Sequence, residues 1–337
     1  MTMRLSFFLV RILAFLILFC TSLSWNFWTP AEAQEKLTRY GIYLTQLGDF
    51  NAKTKSFSAT FWLFTSQPGK DEKIFSSLEF TNSTQFAVTN YSEEQIPDRG
   101  YWYQERIRGT FRHDWDISRY PFNRQVLRIE IQGSEDIDRL IIKPDIFNSG
   151  FDPDIRLDGW QITSFQVIDK RKAYTSSFGD PRLAPGSKSE YGQVVLEIVV
   201  EQTDVSAFLT MIITPIISML LALFTYLLMS EQIALLTTRL NLLAGSIFAI
   251  VISMRSVAGE LGSITSINLV DVVHIAAILY VTSAICDAIY CWWLIERNSV
   301  PFAIAKTRSN IIAIASSVLV AIVLLIFFIR SYVQSLV

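Results

Sequence analysis

Four apolar runs, Val205 to Met229, Leu240 to Ala258, Leu269 to Ile295 and Ile311 to Ile329, follow one another along the later part of the chain. Each is long enough to cross a bilayer as a helix. Inside lipid every backbone N–H and C=O must be paired within its own segment, so these runs are expected to be helical. Pro215 in the first run frees a carbonyl that neighbouring helices must cover. Asp271, His274 and Asp287 in the third are costly in hydrocarbon. They are expected to face protein or water, as interhelical hydrogen bonds or as part of a polar path.

The second run carries an off-pattern stripe. At about 100° per residue, Asn241, Gly245, Phe248, Ile252, Arg255 and Gly259 fall within roughly 40° of one line, with Ser256 beside Arg255. Leu242, Leu243, Ile247, Ala249, Ile250 and Val251 point elsewhere. A face with Asn at one end and Arg at the other suits a water-filled path. Its two glycines equally suit close helix packing, and periodicity leaves both readings open.

Ahead of the runs, Arg4 and Arg11 flank and enter an apolar core from Leu5 to Phe19, and Ala31-Glu32-Ala33 offers small residues for cleavage. Residues 1–33 therefore read as a secretory signal, with Gln34 opening the mature chain; an uncleaved anchor is the alternative. Either way the following domain, residues 34–203, is expected outside the cytoplasm, and residues 204–337 form the multi-pass membrane domain. Arg297, Lys306 and Arg308 in the link before the last run agree, because positive charge belongs inside.

Residues 34–203 read as all-β. Gly41–Leu44, Ser58–Phe64, Gln85–Val88, Tyr101–Tyr103, Val126–Ile131, Trp160–Val167 and Val194–Val199 are strand-like, and several alternate apolar with polar. Turn residues separate them at Gln67–Lys70, Ile96–Gly100, Asn148–Pro153 and Asp180–Gly186. The expected fold is an immunoglobulin-like sandwich followed by a four-helix transmembrane domain.

Several function classes are set aside. A net charge of -2 with no long basic run argues against nucleic acid. Cys20 lies in the signal and Cys286 and Cys291 in the third run, so no disulfide is expected in the sandwich. His113 and His274 are far apart, and neither a metal site nor a cofactor is expected. No Gly-rich phosphate loop, nucleophile elbow or paired-histidine helix is present, and Glu93-Glu94 and Glu135-Asp136 read as solvated loop charge, so an enzyme is not expected.

The order of parts resembles the pentameric ligand-gated ion channels, specifically bacterial members. Arg119-Tyr120-Pro121-Phe122-Asn123-Arg124-Gln125 is similar to that family's aromatic-Pro-Phe-Asp-x-Gln signature. The cysteines that close this loop in animal receptors correspond to His113 and Leu127. Gly159-Trp160, Pro215, Arg239-Leu240-Asn241 and the short link before the last run also match, so the resemblance covers nearly the whole mature chain.

That resemblance implies a homopentamer in the cell membrane, with pore faces of Asn241, Gly245, Phe248, Ile252, Arg255 or Ser256, and Gly259. It implies an agonist, a small molecule or a proton, bound between sandwiches. Tyr91, Glu135, Asp136, Tyr174, Phe178 and Tyr191 are the candidate ligand-binding residues. Tyr120, Pro121, Phe122 and Asn123 would couple the sandwich to the membrane by packing on the link from Leu261 to Asp271. The signature Asp is Asn123 here and its Arg partner is expected at Thr203, so both charges are absent together. Cation conduction is the expectation the bacterial relatives carry. An anion channel and a non-conducting receptor are the alternatives.

Overall fold

The computed structural model describes residues 36–182, 184, 186–261, 267–297 and 300–335, so the expected signal at 1–33 and Gln34 lie outside the described residues. Ten strands come first: β1 (Lys36–Asn51), β2 (Ser56–Gln67), β3 (Leu78–Phe80), β4 (Ser83–Ile96), β5 (Gly100–Arg112), β6 (Arg124–Gly133), β7 (Leu140–Pro144), β8 (Gly150–Phe151), β9 (Trp160–Tyr174) and β10 (Ser189–Gln202). Four long helices follow: α1 (Ser206–Thr225), α2 (Ile233–Leu261), α3 (Leu269–Glu296) and α4 (Phe302–Ser335).

The strands form two sheets. One runs β4-β5-β2-β1-β7 with β8 also on β1, and the other runs β3-β6-β10-β9. β7 and β8 lie parallel to β1, while the other pairs are antiparallel. Alternation decides what each sheet turns inward. On β6, Leu127, Ile129 and Ile131 are buried while Arg124, Val126 and Arg128 face out. They share one core with Ile42 and Leu44 of β1, Phe61 and Leu63 of β2, Ile107 and Phe111 of β5, and Leu196 and Ile198 of β10.

Every strand-like run of the sequence lies in a strand, but the strands are longer, because polar solvent-side residues continue the ladder without an apolar signal. Glu93 and Glu94, expected in a loop, sit on β4, with Glu93 3.3 Å from Lys70. The short strands β3, β7 and β8 carry too few residues for an alternating pattern, and β8 falls inside the expected 148–153 turn.

All four expected spans are helices. α2 begins at Ile233 rather than Leu240, and α4 at Phe302 rather than Ile311. Arg239 in the first early segment and Lys306 and Arg308 in the second interrupt the apolar run, so a run counted without charges starts after them. Thr237 and Thr238 return their hydroxyls to the carbonyls of Ile233 and Ala234 at 3.1 and 2.9 Å, so their polarity is satisfied within the helix. Asp271 caps α3: Asn268 Oδ1 accepts from the Asp271 N–H at 3.0 Å and Asp271 Oδ2 from the Asn268 N–H at 3.1 Å. By length and apolarity α1 to α4 make this a multi-pass membrane protein.

Candidate functional site

Helix α2 has two opposed faces. Arg239, Leu243, Ser246, Ile250 and Val257 are buried, with Ser253 half-buried between them. This seam packs on α1 and α3: Leu243 and Ile250 join Ala222, Tyr226, Ala277 and Tyr280 in one cluster, which Ala313 of α4 extends. Ser253 Oγ lies 3.1 Å from His274 Nε2, and His274 Nδ1 lies 2.8 Å from the Val270 carbonyl. His274 is thus an interhelical hydrogen-bonding group. The seam recurs at the same alternating four- and three-residue steps as the stripe, displaced by two residues, or about 200° around the helix.

The stripe therefore lies diametrically opposite the face that holds α2 in its own bundle. Asn241, Gly245, Phe248, Ile252, Arg255, Ser256 and Gly259 are all exposed in the single chain. Phe248 and Ile252 are 71% and 66% exposed at the middle of a membrane-length helix. Within the chain neither stripe glycine is packed against a neighbouring helix: a Cβ built on Gly245 or Gly259 meets nothing within 4 Å.

The charged residue of the seam, Arg239, lies at the end far from the sheets. Arg239 Nη2 stands 4.0 Å from Asp287 Oδ2 of α3, with its guanidinium 5.8 Å from the centre of the Tyr226 ring. Asp287 also accepts from Ser309 Oγ of α4 and, at 3.4 Å, from Cys291 Sγ. One arginine at the foot of α2 thereby reaches α3 and, through Asp287, α4. The resemblance places Arg239 at the opening of the pore helix; its side chain turns into the bundle instead.

In the sheet domain, Tyr174, Phe178 and Tyr191 form a ring cluster. Centroids are 5.2 Å apart for Tyr174 and Phe178, 5.6 Å for Tyr174 and Tyr191, and 6.3 Å for Phe178 and Tyr191. Tyr174 and Tyr191 belong to β9 and β10, and Phe178 reaches them from the turn between, so the expected 173–191 loop is shorter. Tyr174 Oη donates to Gln132 Oε1 at 2.9 Å. Asp136, in the turn after β6, accepts from the Glu190 N–H at 3.3 Å, which ties that turn to the strand carrying Tyr191. Glu135 is its exposed neighbour. Tyr91 does not join them: it is on β4 in the other sheet, against Phe75 at 6.3 Å.

A second feature leaves no mark in the sequence: a cleft of about 950 Å³ across β1, β2, β5 and the segment after β7. Arg39, Phe64, Trp102, Asp145 and Phe147 line it. Phe64 is directly beside Gly41 on the neighbouring strand, where a Cβ would fall 2.2 Å from its ring.

The sheets meet the helices through the loop after β5. Tyr120 packs on Phe208 of α1 at 6.0 Å, in a cluster with Val257, Leu269, Val270 and Val273. The Tyr120-Pro121 bond is cis. Leu269 and Val270 of the expected link from Leu261 to Asp271 share the Tyr120 cluster, and Phe122 packs on α4. It lies between Phe328 and Tyr332 of α4, at 5.8 and 5.6 Å, beside a 3.2 Å hydrogen bond from Ser331 Oγ to the Arg119 carbonyl. Residues 262–266 of that link lie outside the described residues.

Asn123 is buried and its amide Nδ2 lies 3.5 Å from Gln202 Oε1. The neutral partner is Gln202 rather than Thr203, whose N–H bonds the Gly159 carbonyl at 2.9 Å. Gly159 has φ +73, a conformation that places this carbonyl over the strand-to-helix junction. No cystine closes the loop, since Gln125 takes that part. Its Oε1 meets His113 Nε2 at 3.1 Å and the Asp116 N–H at 3.3 Å, and its Nε2 donates to the Asp116 carbonyl at 2.6 Å. Burial holds the His113 ring below its usual pKa. Leu127 belongs to the core instead.

Compared with known proteins, the chain matches no family model and no curated sequence.

Proposed function

We propose that the chain is one subunit of a homopentameric ligand-gated ion channel, with an immunoglobulin-like sandwich outside the cytoplasm and a pore lined by α2. The observation that carries this reading is the opposition of seam and stripe on α2. A helix held by one face in its own bundle presents the other to whatever lies beyond. The stripe's Asn, Gly, Ser and Arg do not suit lipid. Five copies around an axis would turn them to water.

Two features of the sheet domain support an agonist site between copies. The cluster of Tyr174, Phe178 and Tyr191 offers aromatic faces, and the cleft at Arg39, Phe64 and Trp102 lies on the other sheet. The cluster of one copy and the cleft of the next would enclose a small ligand. Aromatic faces would favour a cation, with Asp136 and Glu135 close by. Tyr120 and Phe122 carry the signal, one onto α1 and the start of α3, the other onto α4.

Phe248 and Ile252 would make a short apolar stretch at mid-membrane that empties of water and closes the pore. Phe248→Ser should wet it and give leak current without agonist, measured with the full chain in a planar bilayer. A silent resting channel with an unchanged agonist response, while cysteines at Asn241 and Ile252 still react from the pore, removes Phe248 as the gate. Absence of current from both proteins under all conditions removes the channel reading.

A further inference from the structure

Resting on the pore reading above, we infer that the channel selects anions and that Arg255, not Arg239, sets the selectivity. The two arginines of α2 stand about 160° apart around the helix. Arg239 is on the seam, buried, and opposed by Asp287 at 4.0 Å. Its charge is neutralised inside one subunit and does not reach the axis. The exposed residues of α2 itself at that end, Thr237, Thr238 and Asn241, are neutral.

Arg255 is on the stripe, exposed, and no carboxylate among the described residues is in ion-pair range of it. Asn241, Gly245, Phe248, Ile252, Ser256 and Gly259 add no charge. The formal charge on the described stripe is therefore that of one guanidinium per copy. Val257 shares a cluster with Tyr120, which puts Arg255 at the end of α2 beside the sheets, where ions enter from that side. Five guanidinium groups in a narrow, low-dielectric mouth concentrate anions and repel cations. This is opposite to the cation conduction that the resemblance carried.

The acid placed to oppose this is Glu231, exposed ahead of the first turn of α2 at the far end. The Glu260 side chain lies outside the described residues, so both acids enter the test. Full-length protein in a planar bilayer, with F248S supplying agonist-independent current, is placed in a tenfold KCl gradient. The reversal potential should fall on the chloride side of zero. R255Q in the same background should lower the chloride-to-potassium permeability ratio by about tenfold or more, the low end of what a focused field provides. R255K should keep it, and E231Q and E260Q should leave it where it was. Reversal on the potassium side, indifference to R255Q, or a selectivity that follows E231Q or E260Q overturns the inference while the pore reading stands. No current from either F248S or the unsubstituted protein overturns both.

Discussion

The helical half and the sheet half of this chain bury charge in opposite ways. In the helices Arg239 and Asp287, 3% and 5% exposed, face each other. In the sheets Glu105, 8% exposed, lies on β5 between Tyr103 and Ile107 with no cation in ion-pair range among the described residues. Burial pushes its carboxyl up to about 7. A carboxyl buried in the sheet domain can lose its charge by taking up a proton. An arginine cannot lose its proton, and in a bilayer it must be given a partner. The junction between the halves uses a third solution, with Asn123 and Gln202 both neutral.

The largest effect expected from this contrast is at Asp287. Asp287→Asn leaves a buried guanidinium unopposed and should cost about 3–5 kcal/mol, read as a fall in the thermal midpoint of the detergent-solubilised protein. Replacing both members, R239M with D287L, should recover most of the loss, because two charges then leave the interior together. A D287N protein that melts like its parent would erase the contrast.

Next comes Glu105. A carboxyl raised above its unfolded value destabilises the fold wherever the unfolded chain would ionise it. Its penalty is therefore absent below about pH 4.5, accumulates between about pH 4.5 and 7, and is complete above about 7. Glu105→Gln should stabilise the sheet domain by roughly 1–2 kcal/mol at pH 8, allowing for partial solvent screening, and by nothing at pH 4. Denaturant unfolding followed by tryptophan fluorescence at both pH values measures it; a gain that is equal at the two would mean that folding does not raise the Glu105 pKa.

The smallest effect is expected at the junction. N123D with Q202R together should shift stability by less than about 1 kcal/mol and leave gating intact, since a neutral pair and a charged pair can be nearly equivalent when exchanged whole. If only the double variant conducted, coupling would depend on an ion pair that this chain lacks, and the neutral junction would be a defect instead of a third solution.

Much of the molecule was legible in local pattern. Strand cores such as Val126–Ile131 and the four spans show because burial repeats every second residue on a strand and apolar length is a bilayer requirement. The stripe showed for the same reason. What stayed hidden needs distant partners. Gln202 rather than Thr203 faces Asn123 because β10 pairs β6 in a register that sets Glu201 opposite Arg124. Phe122 finds α4, more than two hundred residues later in sequence, and no periodicity near Phe122 could announce it. The cleft beside Trp102 is assembled from β1, β2, β5 and the segment after β7, none of which is unusual alone.

On α2 the division is sharpest. The sequence by itself determined that one helix carries two regular faces, because 3.6 residues per turn is a property of the backbone and of nothing else in the fold. It also placed Arg239 and Arg255 on different sides. Which side is covered was decided only by α1 and α3 closing on Leu243, Ser246 and Ile250, with Asp287 waiting for Arg239. The physical reason is that periodicity sets the angle between two residues on a helix, whereas burial is set by neighbours that arrive from elsewhere in the chain.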